Sequence, residues 1–248
     1  MDGLIDYAGL FPPAALSMEK AVAKYEDHRR GEHAWALGRF VVPVERLAEV
    51  PRSFSVSVLA NPDIMPSVDV VEVKAGSAAE VERIAAARGS RIVYVEISDL
   101  ALLDAIARHG LRAKIRTGGI TADAFPSPEF VAAFVRGCSE RRIPFKATAG
   151  LHHPIRGVRA LTYEADAPKG KMHGFLNVFI AAAFPSHALK ILQEENPRAL
   201  GFDDGGLWWH DLRVPCEELA RVREDFAISF GSCSFEDPMR EMQEYGWL

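Results

Sequence analysis

Residues 68–117 read VDVVEVKAGSAAEVERIAAARGSRIVYVEISDLALLDAIARHGLRAKIRT, and this stretch decides the fold class. Three runs within it, VDVVEVK (68–74), RIVYVEI (91–97) and RAKIRT (112–117), have the length and the β-branched content of strands. Between them, SAAEVERIAAARG (77–89) and DLALLDAIARHG (99–110) repeat apolar residues at helical spacing. Each helical run opens on a Ser or Asp that can accept from a first-turn amide and closes on a Gly that tolerates a left-handed cap. Strands separated by helices with connections of a few residues pair in parallel, which makes this an α/β chain.

The alternation extends in both directions. GLIDYAGL (3–10), GRFVVP (38–43) and FSVSVLA (54–60) precede the segment, and PFKATA (144–149) and FAISFG (226–231) follow it, giving eight strand candidates in all. SMEKAVAKYEDHRRG (17–31) and SPEFVAAFVRGCSERR (127–142) supply further helices. Eight β-then-α units predict one domain, a (β/α)8 TIM barrel over residues 1–248. An open, doubly wound sheet is the competing reading, but the chain lacks a GxGxxG after its first strand and a GxxxxGK[ST] anywhere. The rhythm breaks at 155–225, a helical insertion between strands seven and eight that holds GFLNVFIAAAF, SHALKILQEEN, CEELARVREDF and the Gly/Trp-rich GFDDGGLWWHD. Inserts after a barrel strand rise on the face where active sites form, so a lid and added packing on the outside are both open.

Bulk composition narrows the class of function. A 248-residue chain with 48% hydrophobic residues can bury a substantial core, and a net charge of −5 spread along it argues against nucleic acid as a partner. Cys138, Cys216 and Cys233 are odd in number and widely spaced, which predicts neither a disulfide framework nor a zinc cage and fits a reducing cytoplasm. The N-terminus is acidic where a signal peptide is basic, and the longest apolar run, NVFIAAAF (177–184), falls short of a membrane span. The expectation is a cytoplasmic protein with no membrane partner that acts on a small molecule; the sequence leaves a homo-oligomer open.

The strands carry more charge than a barrel interior usually does: Asp6, Asp69, Glu72, Lys74, Glu96, Lys114, Arg116 and Lys146. Burying an unpaired charge costs several kcal/mol, so such groups are paired, close to the open mouth, or functional. Alternation places Lys114 with Arg116 on one face of strand six and Lys146 with Thr148 on one face of strand seven. A lysine attacks a carbonyl only as the neutral amine, and a neighbouring cation together with desolvation favours that form. Two lysines on adjacent strands therefore suggest a Schiff-base nucleophile and its activator; the competing reading pairs each with a carboxylate such as Glu72 or Glu96.

Taken in order, the strand motifs resemble deoxyribose-phosphate aldolase and its relatives, class I aldolases on a (β/α)8 barrel. The motifs are LIDYAGLFPPA (4–14), VDVVEVKAG (68–76), VYVEIS (93–98), AKIRTGG (113–119), PFKATAGLH (144–152) and FGSCS (230–234). The resemblance implies Lys114 as the imine-forming lysine, Lys146 as its activating neighbour, and Asp69 as an acid of the proton relay, with Glu96 keeping the acid of the fifth strand. It also implies a phosphate or other anion held at Gly231, Ser232 and Ser234, and it requires no metal or organic cofactor. Tyr7 stands where the family has a His, Arg116 replaces a small residue, and the 155–225 insertion and the pair His152–His153 have no counterpart there. Parity is in conflict: with Asp69 inward, Glu72 and Lys74 turn outward, and the reverse holds otherwise.

The remaining candidates are polar groups around the mouth. Asp6, Glu72, Lys74, Arg116, Thr148, His152, His153, Asn177, Gly231, Ser232 and Ser234 are read as substrate contacts, with His152 the best placed for acid–base work. His152, His153 and His173 are a loose histidine population without the spacing of a metal site. Cys233 reads as a buried thiol. The expected function is a carbon–carbon lyase acting on a small anionic carbonyl compound through Lys114. The alternatives are a metal-dependent hydrolase or lyase built on the histidines, and a non-catalytic barrel that binds an anionic metabolite.

Overall fold

The computed structural model describes residues 2–248. In chain order the first strands and helices are β1 (Ile5–Tyr7), α1 (Met18–Arg30), β2 (Leu37–Pro43), β3 (Val56–Leu59), β4 (Val70–Lys74), α2 (Ala78–Ala87), β5 (Ile92–Glu96), α3 (Leu103–Arg108), β6 (Arg112–Arg116), α4 (Pro128–Arg141) and β7 (Phe145–Thr148). The insertion adds the hairpin β8 (Gly157–Ala160) and β9 (Lys169–Met172), helices α5 (Phe175–Ala183) and α6 (Ala188–Gln193), the strands β10 (Leu200–Asp203), β11 (Gly206–Trp209) and β12 (Leu212–Val214), and helix α7 (Cys216–Asp225). The chain ends with β13 (Ala227–Ser232) and α8 (Glu236–Glu244). Eight parallel strands close into a barrel in the order β1-β13-β7-β6-β5-β4-β3-β2, so all eight strand segments expected from the sequence lie in one sheet.

Local chemistry explains most boundaries. Ser17, Ser77 and Ser127 accept from Lys20, Glu80 and Phe130 amides at the starts of α1, α2 and α4. Gly89 and Gly110 follow α2 and α3 with φ of +56° and +60°, a conformation that costs glycine little. Two of the expected β-then-α units lack an α-helix: β2 leads to β3 through a 3-10 helix (Val44–Glu49), and residues 60–69 link β3 to β4 without one. Pro62 and Pro66 remove amide donors from that short link.

The apolar core lies between barrel and helices. Val71, Val93, Ala113, Phe145 and Ala147 are buried on the outward course of the sheet, as are Val73, Val95, Ile115 and Phe230. Most of the insertion extends this outer layer. Helix α5 stacks Phe175 on Phe230, ring centroids 4.9 Å apart, and packs on α4, α6 and α7, while β11 packs on α7. The β8–β9 hairpin lies against α8, where Tyr163 of its connecting loop donates to Asp237 at 2.8 Å. Among the described residues no helix is long and apolar enough to cross a membrane.

Candidate active site

Pairing register places the inward side chains in phase around the wall. Lys74 lies beside Glu96, Glu96 beside Lys114, Lys114 beside Lys146, and Lys146 beside Ser229, so one course of polar residues crosses five successive strands. Lys146 Nζ donates to Asp6 Oδ2 at 2.5 Å and to Glu72 Oε1 at 2.6 Å. Lys114 Nζ forms ion pairs with the other Glu72 oxygen and with Glu96 Oε2, both at 2.7 Å. One carboxylate, Glu72, is thus bracketed by the two lysines. Ser57 donates to Glu72 at 2.6 Å, Ser229 and the Arg39 amide donate to Asp6 at 2.9 and 2.7 Å, and Arg116 donates to Glu96 at 3.0 Å. Lys74 approaches Glu96 at 3.7 Å from the exposed rim.

Asp6, Glu72, Lys114 and Lys146 are all at most 3% exposed, so this pairing is what makes their burial tolerable. Burial pushes the Glu72 carboxyl up, but Lys114 and Lys146 outweigh it and hold it far below the usual carboxylate range. Glu96 is lowered in the same way, chiefly by Lys114 and then by Arg116 and Lys74. Burial alone favours neutral Lys146, yet Asp6 and Glu72 raise it above the ordinary lysine range, so it carries a fixed positive charge. The Tyr94 ring lies 5.5 Å from the same ammonium.

The charged wall faces a cavity of about 310 Å³ lined by Glu72, Lys114, Arg116, Lys146, Thr148 and His152, with Gly231 and Cys233 at the end of β13 and Phe11, Pro12 and Pro13 across the mouth. The turn after β7 shapes one side. Ala149 and Gly150 take φ of +64° and +71°, and Thr117 Oγ1 donates to the Ala149 carbonyl at 2.7 Å, which turns residues 149–152 across the opening. A left-handed alanine is uncommon and strained, and here it sits on the cavity wall. His152 is buried with Nδ1 3.3 Å from Ser232 Oγ and 4.0 Å from Cys233 Sγ. Burial first, with His153 beside it, pushes its imidazole down to about 4, and burial pushes the Cys233 thiol up to about 11.

The structure brings together Asp6, Glu72, Lys74, Glu96, Lys114, Arg116, Lys146, Thr148, His152 and Gly231. Asp69 is placed elsewhere. It is exposed on the residue before β4, at the end of the barrel away from the cavity, because the inward parity belongs to Glu72 and Lys74. The buried carboxylate that strand four brings to the cluster is Glu72, three residues on. Asn177 is buried behind the barrel, where its amide donates to the Ile191 and Glu194 carbonyls and its oxygen accepts from the Arg156 amide, tying α5 to α6. His153 pairs with Glu241, and His173 is buried against the Pro126 carbonyl at 2.8 Å. The three histidines thus face different partners, and among the described residues no group of three or more His, Cys, Asp or Glu side chains is arranged to hold a metal ion.

Ser232 is engaged with His152, and Ser234 Oγ accepts from the Asp237 amide at the start of α8. An anion at that helix start meets Glu236 and Asp237. Burial pushes both up, but hydrogen bonds from Lys24 to Glu236 and from Tyr163 to Asp237 outweigh it and hold them ionised. Ser57, Tyr94, Ser229 and Tyr163 are residues around the site that the sequence reading did not place, while Cys233 is the buried thiol expected. Ser57 and Tyr94 stand on the inward parity of their strands, so alternation counted from Glu72 and Glu96 finds both.

No protein-family model matches the chain, and no curated protein does. Among solved structures, the lysine/ornithine decarboxylase of Vibrio vulnificus, complexed with cadaverine, is similar at 13% identity and a TM-score of 0.41, over 92% of this chain and 56% of that one. The chain spans little more than half the length of that protein. The class defined here is a TIM-type barrel closed by eight parallel strands, with a buried cluster of lysines and carboxylates at its mouth.

Proposed function

We propose that the protein is a class I aldolase-type lyase that forms an imine between Lys114 and a small anionic carbonyl compound. The observation that carries the reading is the pair of buried lysines bracketing Glu72 at the wall of the cavity. The resemblance of the strand motifs to the deoxyribose-phosphate aldolase family supports the same assignment, with Glu72 in place of Asp69 as the acid on strand four. Lys146, fixed as a cation by Asp6 and Glu72, keeps positive charge beside Lys114. Glu96 Oε2, 2.7 Å from the Lys114 nitrogen, is placed to take the proton that the amine must lose.

The neutral Lys114 nitrogen adds to the carbonyl carbon as the C=O π pair moves to oxygen. That oxygen takes one proton from the adding nitrogen and a second from a general acid and leaves as water, as the nitrogen lone pair forms the C=N bond of an iminium ion. A carboxylate of the cluster then removes the proton from the substrate's β-hydroxyl. The Cα–Cβ bond breaks, its electron pair passes into the iminium as an enamine, and an aldehyde departs. Protonation of the enamine carbon and hydrolysis by water free the second product and restore Lys114.

Borohydride reduction with a panel of aldehydes and keto acids, followed by peptide mass mapping, tests this. One adduct on the Lys114 peptide, absent from Lys114→Met, is expected. No adduct across the panel, or one that survives Lys114→Met, refutes the imine. Tight binding of an anion without adduct or turnover is the result expected of a non-catalytic barrel.

A further inference from the structure

A second cavity of about 310 Å³ adjoins the first and shares Pro13 and His152 with it. The β8–β9 hairpin forms its outer wall with Arg159, Thr162 and Tyr163, and α8 closes it with Asp237 and Arg240. Two donors here stand unused. Arg159 Nε and Thr162 Oγ1 are buried atoms without a hydrogen-bond partner, and among the described residues Arg159 has no carboxylate within ion-pair distance. Buried donors without acceptors cost about 1–3 kcal/mol each unless water or a ligand completes them. The other charges in the cavity are spent. Asp237 accepts from Tyr163 at 2.8 Å and pairs with Arg240 at 2.9 Å, and His153 is taken up by Glu241. Arg159 is thus the uncompensated cation, with the planar fork that suits a carboxylate or phosphate.

The geometry points to an anion-binding subsite in the hairpin cavity, with Arg159 and Thr162 as its donors, holding the far end of a substrate whose carbonyl lies at Lys114. The near end rests on the imine reading; the anion site stands on the hairpin's own residues. The class of substrate is accordingly an extended oxo acid or oxo phosphate, with its carbonyl and its anion separated by a few carbons. Tyr163 Oη of the hairpin cavity and Cys233 Sγ of the first cavity lie 4.0 Å apart where the two chambers adjoin.

Two measurements on the full chain test the subsite. Calorimetric titration with inorganic phosphate and with acetate distinguishes the two oxyanion classes. At least one is expected to bind, with affinity reduced about tenfold or more by Arg159→Met and reduced also by Thr162→Val, which keeps the side-chain shape. In borohydride trapping, unbranched ω-oxo acids of four to six carbons are compared with the matching uncharged aldehydes. The wild type is expected to prefer the acid, and that ratio should fall toward one in Arg159→Met. Anion binding unaltered by both variants, absence of binding, or an acid preference that survives Arg159→Met overturns the proposal. If no aldehyde is trapped while phosphate or acetate still binds in an Arg159-dependent way, the lysine chemistry fails and the anion site stands.

Discussion

Replacing Glu72 by Gln tests the charge cluster at its centre. The substitution preserves side-chain shape and removes one charge shared by two buried ammonium groups and Ser57. An amide oxygen can accept from one lysine, but the NH2 then faces the other, donor against donor. Removing one partner of a buried ion pair costs about 3–5 kcal/mol, and at about 2–4 °C per kcal/mol for a chain of this size the melting temperature should fall by roughly 6–20 °C at pH 7. The pH dependence carries a sign of its own. In the wild type, Lys146 is raised above its unfolded value of about 10.4, so its contribution is fully present below that pH and lost as pH rises through the folded value. In Glu72→Gln, Lys146 keeps Asp6 and Lys114 keeps Glu96 but the shared carboxylate is gone, so Lys146 is held charged less firmly and the alkaline loss of stability should begin at lower pH. Calorimetric melting of both proteins between pH 6 and 10 measures this. A variant that melts within about 2 °C of the parent, with the same alkaline limb, refutes the shared-carboxylate reading.

Three further outcomes follow from single groups. Asn177→Ala strands the Ile191 and Glu194 carbonyls and the Arg156 amide and should destabilise by about 2–4 kcal/mol in denaturant unfolding, while borohydride trapping at Lys114 persists; lost trapping at full stability would return Asn177 to the site. His152, pushed down to about 4, should give imidazole NMR shifts that stay flat from pH 5.5 to 8, and an inflection near 6.5 contradicts its burial. With the Cys233 thiol pushed up to about 11, only roughly one molecule in a thousand is thiolate at pH 8, so iodoacetamide should label exposed Cys216 first; equal rates contradict the neutral Cys233–His152 pair.

The barrel is legible because the strands carry their greasy parity outward, where Val71, Val93 and Phe145 meet the helices, and because Ser17, Ser77 and Ser127 mark the starts of α1, α2 and α4. The β8–β9 hairpin escaped notice because KGKM and GVRA alternate charge with small residues and form only four-residue strands. The β10–β11 hairpin carried a signal that was open to use. Asp204-Gly205 between LGFD and GLWW is the dipeptide that two-residue hairpin turns favour. Asp69 was misplaced because the D-V-V motif fixes a strand but not its facing, and a slip of one residue exchanges interior for exterior.

That same rule explains why the site could be read at all. Charges on Glu72, Glu96, Lys114 and Lys146 share one parity on four consecutive strands, which no surface arrangement requires of buried residues. Replacing a buried ion pair with apolar residues of similar volume is often neutral or stabilising, so stability alone does not call for these charges. Two paired lysines alone are satisfied by two carboxylates. The cluster instead combines three buried carboxylates with two buried lysines, and Arg116 and Lys74 add positive charge at the cavity rim. The surplus of cations faces the opening, where an incoming anion can complete it. Under the anion-subsite proposal, Arg159 in the adjoining cavity extends the same positive charge beyond that rim.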